Sequence, residues 1–455
     1  MSTPRFIKNH EALVANGEQL EVRAYRDLLL RALDAATDAF MPENALHAHM
    51  SVDGQVLHVQ GQKWYLPEFE HVYVVGAGKA AGSMAEAVED ILGEVITDGV
   101  VLTRPGNYHT KRITLVKLDS DSKESVRLRE SKKLLGLAKK AGKGDLVISL
   151  FSGGGSSLFE VPLKGIAIAE IQKTNHLLQD AGASIEDINT VRKHLSQVKG
   201  GKFAEVIAPA TGITLLLSNV AGDSVQVIAS GPTTGDATTP RDALFILEKY
   251  FLNGKVPHVI AEVLQQGNDA RAVLEVPYIS NIVIGSNRLC LNVVARKLRE
   301  HNIAVFEVTN QLRGEARDVG EAIARMVAAR ARHVLPTAFL FGGETTVTVT
   351  GKGKGGRNQE LMLSLAAALA KAKFPHPYVA LGFATDGHDA TDEAAGAIID
   401  HKTAERAAKA ILSPERYLAN NDSFTFFDRL GDLIVTGQTG TNVGDVIIVF
   451  IDPKP

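Results

Sequence analysis

The residues best suited to chemistry in this chain are lysines, arginines and aspartates carried in glycine-rich segments. Five such segments follow or adjoin apolar runs: VVGAGKAAGS (residues 74–83), SGGGSS (152–157), NVAGDSVQVIASGPT (219–233), GGETTVTVTGKGKGGRNQE (342–360) and ATDGHDATDEAAGA (384–397). Glycines allow backbone N–H groups to close around an anion, and neighbouring cations or a metal-binding aspartate balance its charge. The five segments therefore predict a site that handles phosphate.

The first segment places Lys79 where a strand turns into a helix. Its glycines, Gly76, Gly78 and Gly82, are spaced one residue off the dinucleotide fingerprint, and the next predicted strand ends in Arg104 rather than in the acid that binds a ribose. A nicotinamide cofactor is therefore disfavoured. We expect Gly76 and Gly78 to approach phosphate and Lys79 to bind it, the alternative being a tight turn with an exposed lysine.

The second segment puts three successive glycines after a buried strand, which is conformationally costly unless the backbone must approach a ligand. We expect this loop to bind nucleotide phosphates, with hydroxyls supplied by its last two serines. The phosphate-binding candidates are Ser152, Gly153, Gly154, Gly155, Ser156 and Ser157.

Residues 189–201 are predicted to form one helix that is stopped by two glycines. Arg192, Ser196 and Lys199 would then lie in one polar stripe, either as a solvated helix face or as a clamp for a carboxylate or phosphate. Arg192 and Lys199 are therefore substrate-binding candidates.

The last three segments supply acids and a further cation. Asp223 is a candidate Mg²⁺ ligand, with a helix-capping or turn role as the alternative. Arg357 lies at the start of a helix after four glycines, where it would meet an anion, and Asn358 beside it is a further substrate-binding candidate. Asp386 could bind a metal, accept a proton or cap a helix.

The elements that position these residues alternate between strand and helix, which predicts parallel α/β architecture. The predicted fold is an N-terminal Rossmann-like three-layer α/β/α domain, residues 1–275, and a second α/β domain, residues 276–455. A helix and a small antiparallel hairpin precede the first sheet. Strand candidates at 338–341 and 345–350 are too close for a helical crossover, so the second sheet is expected to be mixed.

Composition excludes several classes of function. A formal net charge of −3 gives no basic field for nucleic acid or an anionic membrane, and Cys290, the single cysteine, cannot form an internal disulfide. The first residues lack the apolar stretch of a signal peptide, and no apolar run reaches the roughly 20 residues of a membrane span. A cytoplasmic enzyme acting on small molecules is therefore expected.

In order and content, the motifs resemble the class II glycerate kinases, the glycerate 2-kinase family with a C-terminal MOFRL domain. The resemblance implies transfer of the γ-phosphate of ATP to the 2-hydroxyl of D-glycerate with Mg²⁺, in a site between two α/β domains. It also implies that Lys79 and Arg357 are active-site residues. Residues 115–124 lack the His and Pro of the family pattern, and Ala390 replaces its usual glycine.

Several alternatives stay open from the sequence. Either Asp223 or Asp386 could hold the metal while the other accepts the hydroxyl proton. The product could be 2- or 3-phosphoglycerate. An NAD(P)-dependent hydroxypyruvate reductase and a non-catalytic binding protein are the rival functions. Glycerate and ATP are the expected partners, with no nucleic acid and no membrane, and a homodimer is neither required nor excluded.

Overall fold

The computed structural model describes residues 5–119, 121–267, 276–330 and 335–453. Its helices are α1 (His10–Ala15), α2 (Leu20–Ala39), α3 (Pro42–His49), α4 (Ala81–Leu92), α5 (Glu124–Ala138), α6 (Gly155–Leu158), α7 (Ile168–Asp180), α8 (Ile185–Lys193), α9 (Lys202–Ile207), α10 (Pro240–Lys249), α11 (His258–Gln266), α12 (Asn287–Arg299), α13 (Ala316–Arg330), α14 (Arg357–Lys371), α15 (Thr403–Lys409), α16 (Pro414–Ala419) and α17 (Ser423–Leu430). Its strands are β1 (Met50–Asp53), β2 (Val56–Val59), β3 (Gln62–Tyr65), β4 (Val72–Gly78), β5 (Asp98–Thr103), β6 (Ile113–Lys117), β7 (Leu146–Ser152), β8 (Thr211–Leu217), β9 (Ile279–Gly285), β10 (Ala304–Leu312), β11 (Thr337–Gly343), β12 (Tyr378–Ala384), β13 (Gly396–Asp400), β14 (Leu433–Ile434) and β15 (Asp445–Ile451).

These elements belong to two compact units. The parallel-sheet unit comprises Pro42–Ser218 and Asp223–Ile284, and the mixed-sheet unit comprises Met1–Met41, Asn219–Gly222 and Gly285–Pro455. The prediction of an α/β chain with a Rossmann-like part and a mixed-sheet part is confirmed.

The parallel-sheet unit contains a six-stranded sheet in the order β6-β5-β4-β7-β8-β9. The pairs β6–β5, β5–β4, β4–β7 and β7–β8 are parallel. Every residue of β4 and of β7 is buried, as expected for strands whose sequences are almost continuously apolar. This order is that of a Rossmann sheet, in which the strand order reverses between β4 and β7. Ligands bind to such sheets beyond the carboxyl ends of the strands at this reversal point.

A helical layer in the same unit has its own apolar core, formed by α7, α8, α10 and α11. The predicted single helix over 189–201 is wrong, because α8 ends at Lys193. The chain beyond it pairs with residues 161–163 instead: Gln197 N donates to Val161 O, and Leu195 O accepts from Leu163 N. These bonds replace the ones that a continuing helix would make.

The mixed-sheet unit contains a six-stranded sheet in the order β10-β11-β15-β12-β13-β14. Of the strand pairs that the structure describes in this sheet, only β10–β11 is parallel, and β15 lies antiparallel between β11 and β12. Helices α13 and α14 pack on one another, and α14 contacts β12 and β13 over an aromatic and aliphatic core.

The sheet is mixed, as predicted, but for a different reason. Residues 345–350 form no strand apart from an isolated bridge at Thr346. Their amides bond to side chains instead: Thr348 N donates to the Glu315 carboxylate, and Thr350 N donates to Asn421 Oδ1 at 2.8 Å. The predicted strand is therefore wrong, and the insertion of β15 between β11 and β12 accounts for the mixed sheet.

Helix α2, whose apolar periodicity was clear in the sequence, belongs to the mixed-sheet unit. Its Arg26 is fully buried and donates to Asp400 and Asp432, two carboxylates that also bind Arg406. The four side chains bring two positive and two negative charges together, which satisfies each of them away from water.

Strand β9, which lies just after the predicted domain boundary, is the edge strand beside β8 in the parallel-sheet unit. Residues 268–275, next to the predicted domain boundary, lie outside the described residues, and the boundary itself stays a prediction. Among the described helices, none is both long and apolar enough to cross a bilayer.

Candidate active site

Lys79 directly follows β4, and the SGGGSS loop directly follows β7, so the two segments meet at the reversal point of the parallel sheet. Lys79 N donates to Gly153 O at 2.9 Å, and a Cβ on Gly154 would lie 3.0 Å from Lys79 Cγ. Gly154 has φ +83°, a conformation that glycine adopts without strain. Within the residues that the structure describes, no carboxylate forms an ion pair with the exposed Lys79 ammonium.

The glycines of the first segment also have a packing reason. Gly76 and Gly78 lie in buried β4, where a Cβ would collide with Leu150 O, at 2.5 Å, and with Ser152. The Ser152 hydroxyl accepts a hydrogen bond from Ala80 N at 3.1 Å, which holds the entry to α4. Contact of these three residues with phosphate stays a prediction.

The serine hydroxyls of the loop are bound within the protein. Ser157 Oγ donates to Gly154 O at 2.9 Å, and Ser156 Oγ lies 2.8 Å from Ser230 Oγ. A Cβ on Gly155 would come within 2.9 Å of the Ala229 Cβ, so the turn at 228–231 packs directly on the loop. Ser230 was not among the predicted site residues, although the small residues of its Ala-Ser-Gly-Pro run were the available signal.

Arg192 connects to this loop through a second residue that was missed. Its Nη1 donates to Asn189 Oδ1 at 3.4 Å, and the same oxygen accepts from Ser230 Oγ at 3.0 Å. Burial lowers the pKa of Arg192, and the nearby Glu160 carboxylate opposes that shift. The structure thus brings Arg192 and the SGGGSS loop into one polar network.

Lys199 has different surroundings from those expected. Its side chain is fully buried, and its ammonium donates to Phe159 O at 3.0 Å and to Glu160 Oε2 at 2.5 Å. Burial lowers the pKa of Lys199, and the Glu160 charge opposes that shift. Because α8 has already ended, Lys199 does not share a helix face with Arg192; it anchors the segment that follows the SGGGSS loop.

Asp223 lies in a left-handed turn with φ +54°. Its Oδ1 is buried and has no hydrogen-bond partner among the described residues. An unsatisfied carboxylate oxygen suits a hard cation, so the residue present fits Mg²⁺.

A group of potential metal ligands among the described residues lies away from Asp223 in the sequence. Glu70, His71 and Asp145 have ligand atoms within 4.8 Å of one another, and they precede β4 and β7 at the opposite ends of those strands from Lys79. His71 Nδ1 lies 3.0 Å from Asp145 Oδ1, so a hydrogen bond accounts for part of this arrangement.

In the mixed-sheet unit, Arg357 is the first residue of α14. Its guanidinium bonds to both oxygens of Asp445, at 2.5 and 2.8 Å, and lies 3.0 Å from Glu344 Oε1. Asp445 begins β15 opposite Gly343 and Ala384, the last residues of β11 and β12. Arg357 is therefore held at the carboxyl ends of β11 and β12, the two strands on either side of β15.

The Arg357–Asp445 pair shifts both proton equilibria. Burial acts to lower the pKa of Arg357, but the hydrogen bonds and charge of Asp445 outweigh it and raise that pKa. Burial raises the pKa of the Asp445 carboxyl to about 7, although Arg357 opposes this. Arg357 consequently stays cationic, and about a quarter of its side chain is exposed.

The start of α14 is fixed by Asp389. Its buried carboxylate accepts from Asn358 N at 3.1 Å and from Gln359 N at 2.9 Å, which satisfies two amides of the first turn. A Cβ on Gly356 would collide with Asp389, so glycine is required by this close approach. The Asn358 side chain is itself buried, with Nδ2 3.4 Å from Asp389 Oδ1.

Asp386 follows β12, near the strand end that Asp445 joins. Its carboxylate accepts from His388 N at 3.0 Å and from Asn442 Nδ2 at 3.2 Å, and it is partly exposed. Asp386 and Arg357 thus both lie at this edge of the mixed sheet. His388 bonds to Asp392 at 2.9 Å on the surface.

Residues 28–265 match the "Domain of unknown function (DUF4147)" and residues 337–445 match the "MOFRL family". The chain is 37% identical over 438 residues to the glycerate 2-kinase of Pyrococcus horikoshii, covering 94% of this chain and 98% of that protein. It is 40% identical over 388 residues to the D-glycerate 2-kinase of Thermotoga maritima, covering 84% and 91%.

A crystal structure of glycerate kinase from Thermotoga maritima has the same fold, with a TM-score of 0.81 at 36% identity over 94% of this chain and all of that one. The shared fold, the two matched domains and the sequence similarity over nearly the whole chain agree with the resemblance seen in the motifs. The chain belongs to the glycerate 2-kinase family, in which a DUF4147 domain is followed by a MOFRL domain.

Proposed function

We propose that this protein transfers the γ-phosphoryl group of ATP to the 2-hydroxyl of D-glycerate, giving 2-phosphoglycerate and ADP. The observation that carries the proposal is the 37% identity to a glycerate 2-kinase across 94% of this chain. The placement of Lys79 and the SGGGSS loop at the reversal point of a Rossmann sheet supports it, because that is where such sheets bind ligands.

In this proposal Lys79 binds the phosphates of the nucleotide. The side chain is exposed, lies against Gly154 and has no ion-pair partner in the described part of the chain, so its charge is available to an anion. Phosphoryl transfer depends mainly on positioning and charge neutralisation, and an ammonium at the entrance of α4 supplies both. The backbone of the glycine loop would complete the phosphate site.

Arg357 is proposed to stabilise charge on the transferred phosphoryl group. Asp445 accepts hydrogen bonds from Nε and Nη2 of Arg357 and so fixes the plane of the guanidinium. The Arg357 side chain is partly exposed, which leaves further N–H donors for a ligand. Glu344 is about half exposed and is the partner that an incoming anion would displace. That Lys79 and Arg357 act on the same phosphoryl group stays part of the proposal.

The residues present fit Mg²⁺, which would neutralise charge on the nucleotide phosphates. Asp223 would hold it through the buried Oδ1 that lacks a donor. Asp386, whose carboxylate already accepts two hydrogen bonds, is then assigned to the hydroxyl proton of glycerate. Arg192 would bind the substrate carboxylate, and the buried Lys199 and Asn358 would support their loops.

A coupled ADP-release assay with D-glycerate, ATP and Mg²⁺ tests the proposal, with ³¹P NMR of the product. We expect ADP release and the phosphorus signal of 2-phosphoglycerate. A 3-phosphoglycerate signal would refute the regiochemistry, and binding without ADP release would refute catalysis. NADH consumption with hydroxypyruvate, followed at 340 nm, would support the reductase instead.

A further inference from the structure

A polar chain of four side chains lies behind the SGGGSS loop. Ser156 Oγ is 2.8 Å from Ser230 Oγ, Ser230 Oγ is 3.0 Å from Asn189 Oδ1, and Asn189 Oδ1 is 3.4 Å from Arg192 Nη1. All four residues belong to the parallel-sheet unit. Ser230 is fully buried and Asn189 nearly so, whereas Ser156 is partly exposed.

The hydrogen bonds that link these four side chains can run in only one direction. A guanidinium only donates, so the amide atom of Asn189 that faces Arg192 must be the oxygen. That oxygen accepts from Ser230, which commits the one hydroxyl hydrogen of Ser230. Ser156 must therefore donate its own hydrogen to Ser230. Only the lone pairs of the Ser156 hydroxyl remain for a ligand.

The backbone around Ser230 is held in an unusual conformation. Ala229, Ser230 and Gly231 have φ values of +51°, +63° and +61°, although only the last is a glycine. Left-handed conformations in consecutive non-glycine residues persist where surrounding contacts over-determine them, and they concentrate at functional sites. Here the contacts are Ala229 against Gly155 and Ser230 between Ser156 and Asn189.

The exposed end of this chain of side chains belongs to the same loop as Gly154. A Cβ added to Gly154 would lie 3.0 Å from Lys79 Cγ, so the loop that carries Ser156 adjoins Lys79. The neighbouring Ser157 also commits its hydrogen, to Gly154 O. Both hydroxyls therefore present acceptors, whereas phosphate oxygens require donors. Ser156 therefore suits a donor group of the ligand, such as a hydroxyl.

We propose that Ser156 accepts a hydrogen bond from a hydroxyl group of the hydroxy-acid substrate, and that Ser230 and Asn189 are positioning residues that set this polarity. The inference rests on the proposed function for the identity of the acid, and it replaces the expectation that Ser156 donates to phosphate. Selectivity follows, because a site built around a substrate hydroxyl disfavours the analogue that lacks it.

Calorimetric binding without turnover tests the inference. Dissociation constants are measured for glycerate, for lactate, which lacks the 3-hydroxyl, and for 3-hydroxypropionate, which lacks the 2-hydroxyl. In the wild type we expect glycerate to bind at least tenfold more tightly than one of the two analogues. Ser156→Ala should reduce that ratio to near one while the ATP dissociation constant changes less than twofold. Ser51→Ala, which removes an exposed hydroxyl on β1 of the same unit, is the control and should keep the ratio.

A pair of variants at Asn189 tests the positioning role. Asn189→Asp keeps an acceptor oxygen and should keep the hydroxyl preference, whereas Asn189→Leu removes it and should lose that preference, with thermal unfolding as the check on folding. Equal ratios in the two variants would overturn the role of Asn189. A wild type without any hydroxyl preference, or a Ser156→Ala variant that loses ATP affinity instead, would overturn the inference.

The outcome is separable from that of the proposed function. Wild-type ADP release with glycerate reports on the kinase activity alone. If the wild type turns over no glycerate but shows a hydroxyl preference that depends on Ser156, the inference stands and the proposed function fails.

Discussion

Two cations are central to the proposed chemistry, and their surroundings differ. Lys79 is exposed and forms no ion pair with the described residues, whereas Arg357 is bound by a buried carboxylate and a half-exposed one. A side chain without structural partners can be removed with little effect on folding. A side chain that neutralises a buried charge cannot.

We therefore expect Lys79→Ala to lose about 10²–10³-fold in kcat, the usual effect of removing one charge-stabilising donor, with the melting temperature nearly unchanged. Steady-state kinetics and thermal unfolding measure the two effects. Lys132→Ala, an exposed lysine on α5, is the control and should retain wild-type turnover. Retention of a tenth or more of kcat in Lys79→Ala would contradict its assigned role.

For Arg357→Ala we expect losses in both activity and stability. The substitution leaves the Asp445 carboxylate buried without its guanidinium, and such unpaired charges typically cost about 3–5 kcal/mol. Denaturant unfolding measures the loss. Adding Asp445→Asn to Arg357→Ala should recover part of the stability but none of the activity. If the double variant is no more stable than Arg357→Ala, the unpaired Asp445 carboxylate is not the cause of the destabilisation.

At the scale of elements, the order of strands and helices could be predicted from the sequence. One predicted strand does not form, however, and one predicted helix ends early. The alternation of apolar strands, such as β4 and β7, with helices was sufficient to predict a parallel sheet. The predicted strand at 345–350 failed because its alternating Thr/Val sequence suits a strand, while its amides bond to Glu315 and Asn421, which are distant in sequence. The helix over 189–201 failed similarly, through its pairing with 161–163.

The candidate site was predictable to the same extent. Lys79 and Arg357 follow from glycine-rich turns next to strands, which are local signals. Asn189, Ser230, Asp389 and Asp445 were missed as partners because each acts on a segment that is distant along the chain. No local pattern encodes such a contact.

The start of α14 gives an element-scale prediction. Gly356→Ala places a Cβ against Asp389 and should destabilise the protein by about 1–3 kcal/mol while lowering turnover, because Arg357 is the next residue. Gly136→Ala is the matched control, because Gly136 is an exposed residue in the middle of α5 and an added Cβ would meet nothing within 4 Å. That control should stabilise by about 0.5–1 kcal/mol in denaturant unfolding. Equal stability changes in the two variants would contradict this account.

At the scale of the whole molecule, one buried cluster joins residues that are far apart in the chain. Arg26 of α2 bonds to Asp400 and Asp432, which are 374 and 406 residues away. The N-terminal helices are therefore structural parts of the mixed-sheet unit.

We expect Arg26→Met to destabilise the protein by about 3–5 kcal/mol, since it leaves two carboxylates with Arg406 alone. Arg325→Met, which removes an exposed pair with Glu321, is the control and should change stability by less than about 0.5 kcal/mol. Chemical denaturation of both variants measures this, and similar values for the two would refute the importance of the cluster.

Acid stability is a second property of the whole molecule. Burial lowers the pKa of His194 to about 4, and Lys202 adds to this while Asp236 opposes it. The unfolded state, with a pKa near 6.5, then binds the proton more readily, so stability is lost as pH falls from about 6.5 to 4. His194→Gln should flatten this part of the stability–pH profile by an amount on the order of 3 kcal/mol. An unchanged slope in the variant would contradict the burial of a neutral imidazole.

The long-range cluster around Arg26 also has a consequence for biosynthesis. Helices α1 and α2 leave the ribosome before β13, β14 or α15 has been translated. Arg26 therefore cannot pair with both Asp400 and Asp432 until translation has passed residue 432, which is 406 residues further along the chain. During translation the segment at 42–284 can collapse first, while the two leading helices carry an unsatisfied apolar face. Expression of residues 285–455 alone would leave the two aspartates with Arg406 but without Arg26, so we expect a stable fragment to need residues 1–41 supplied in trans or fused to it.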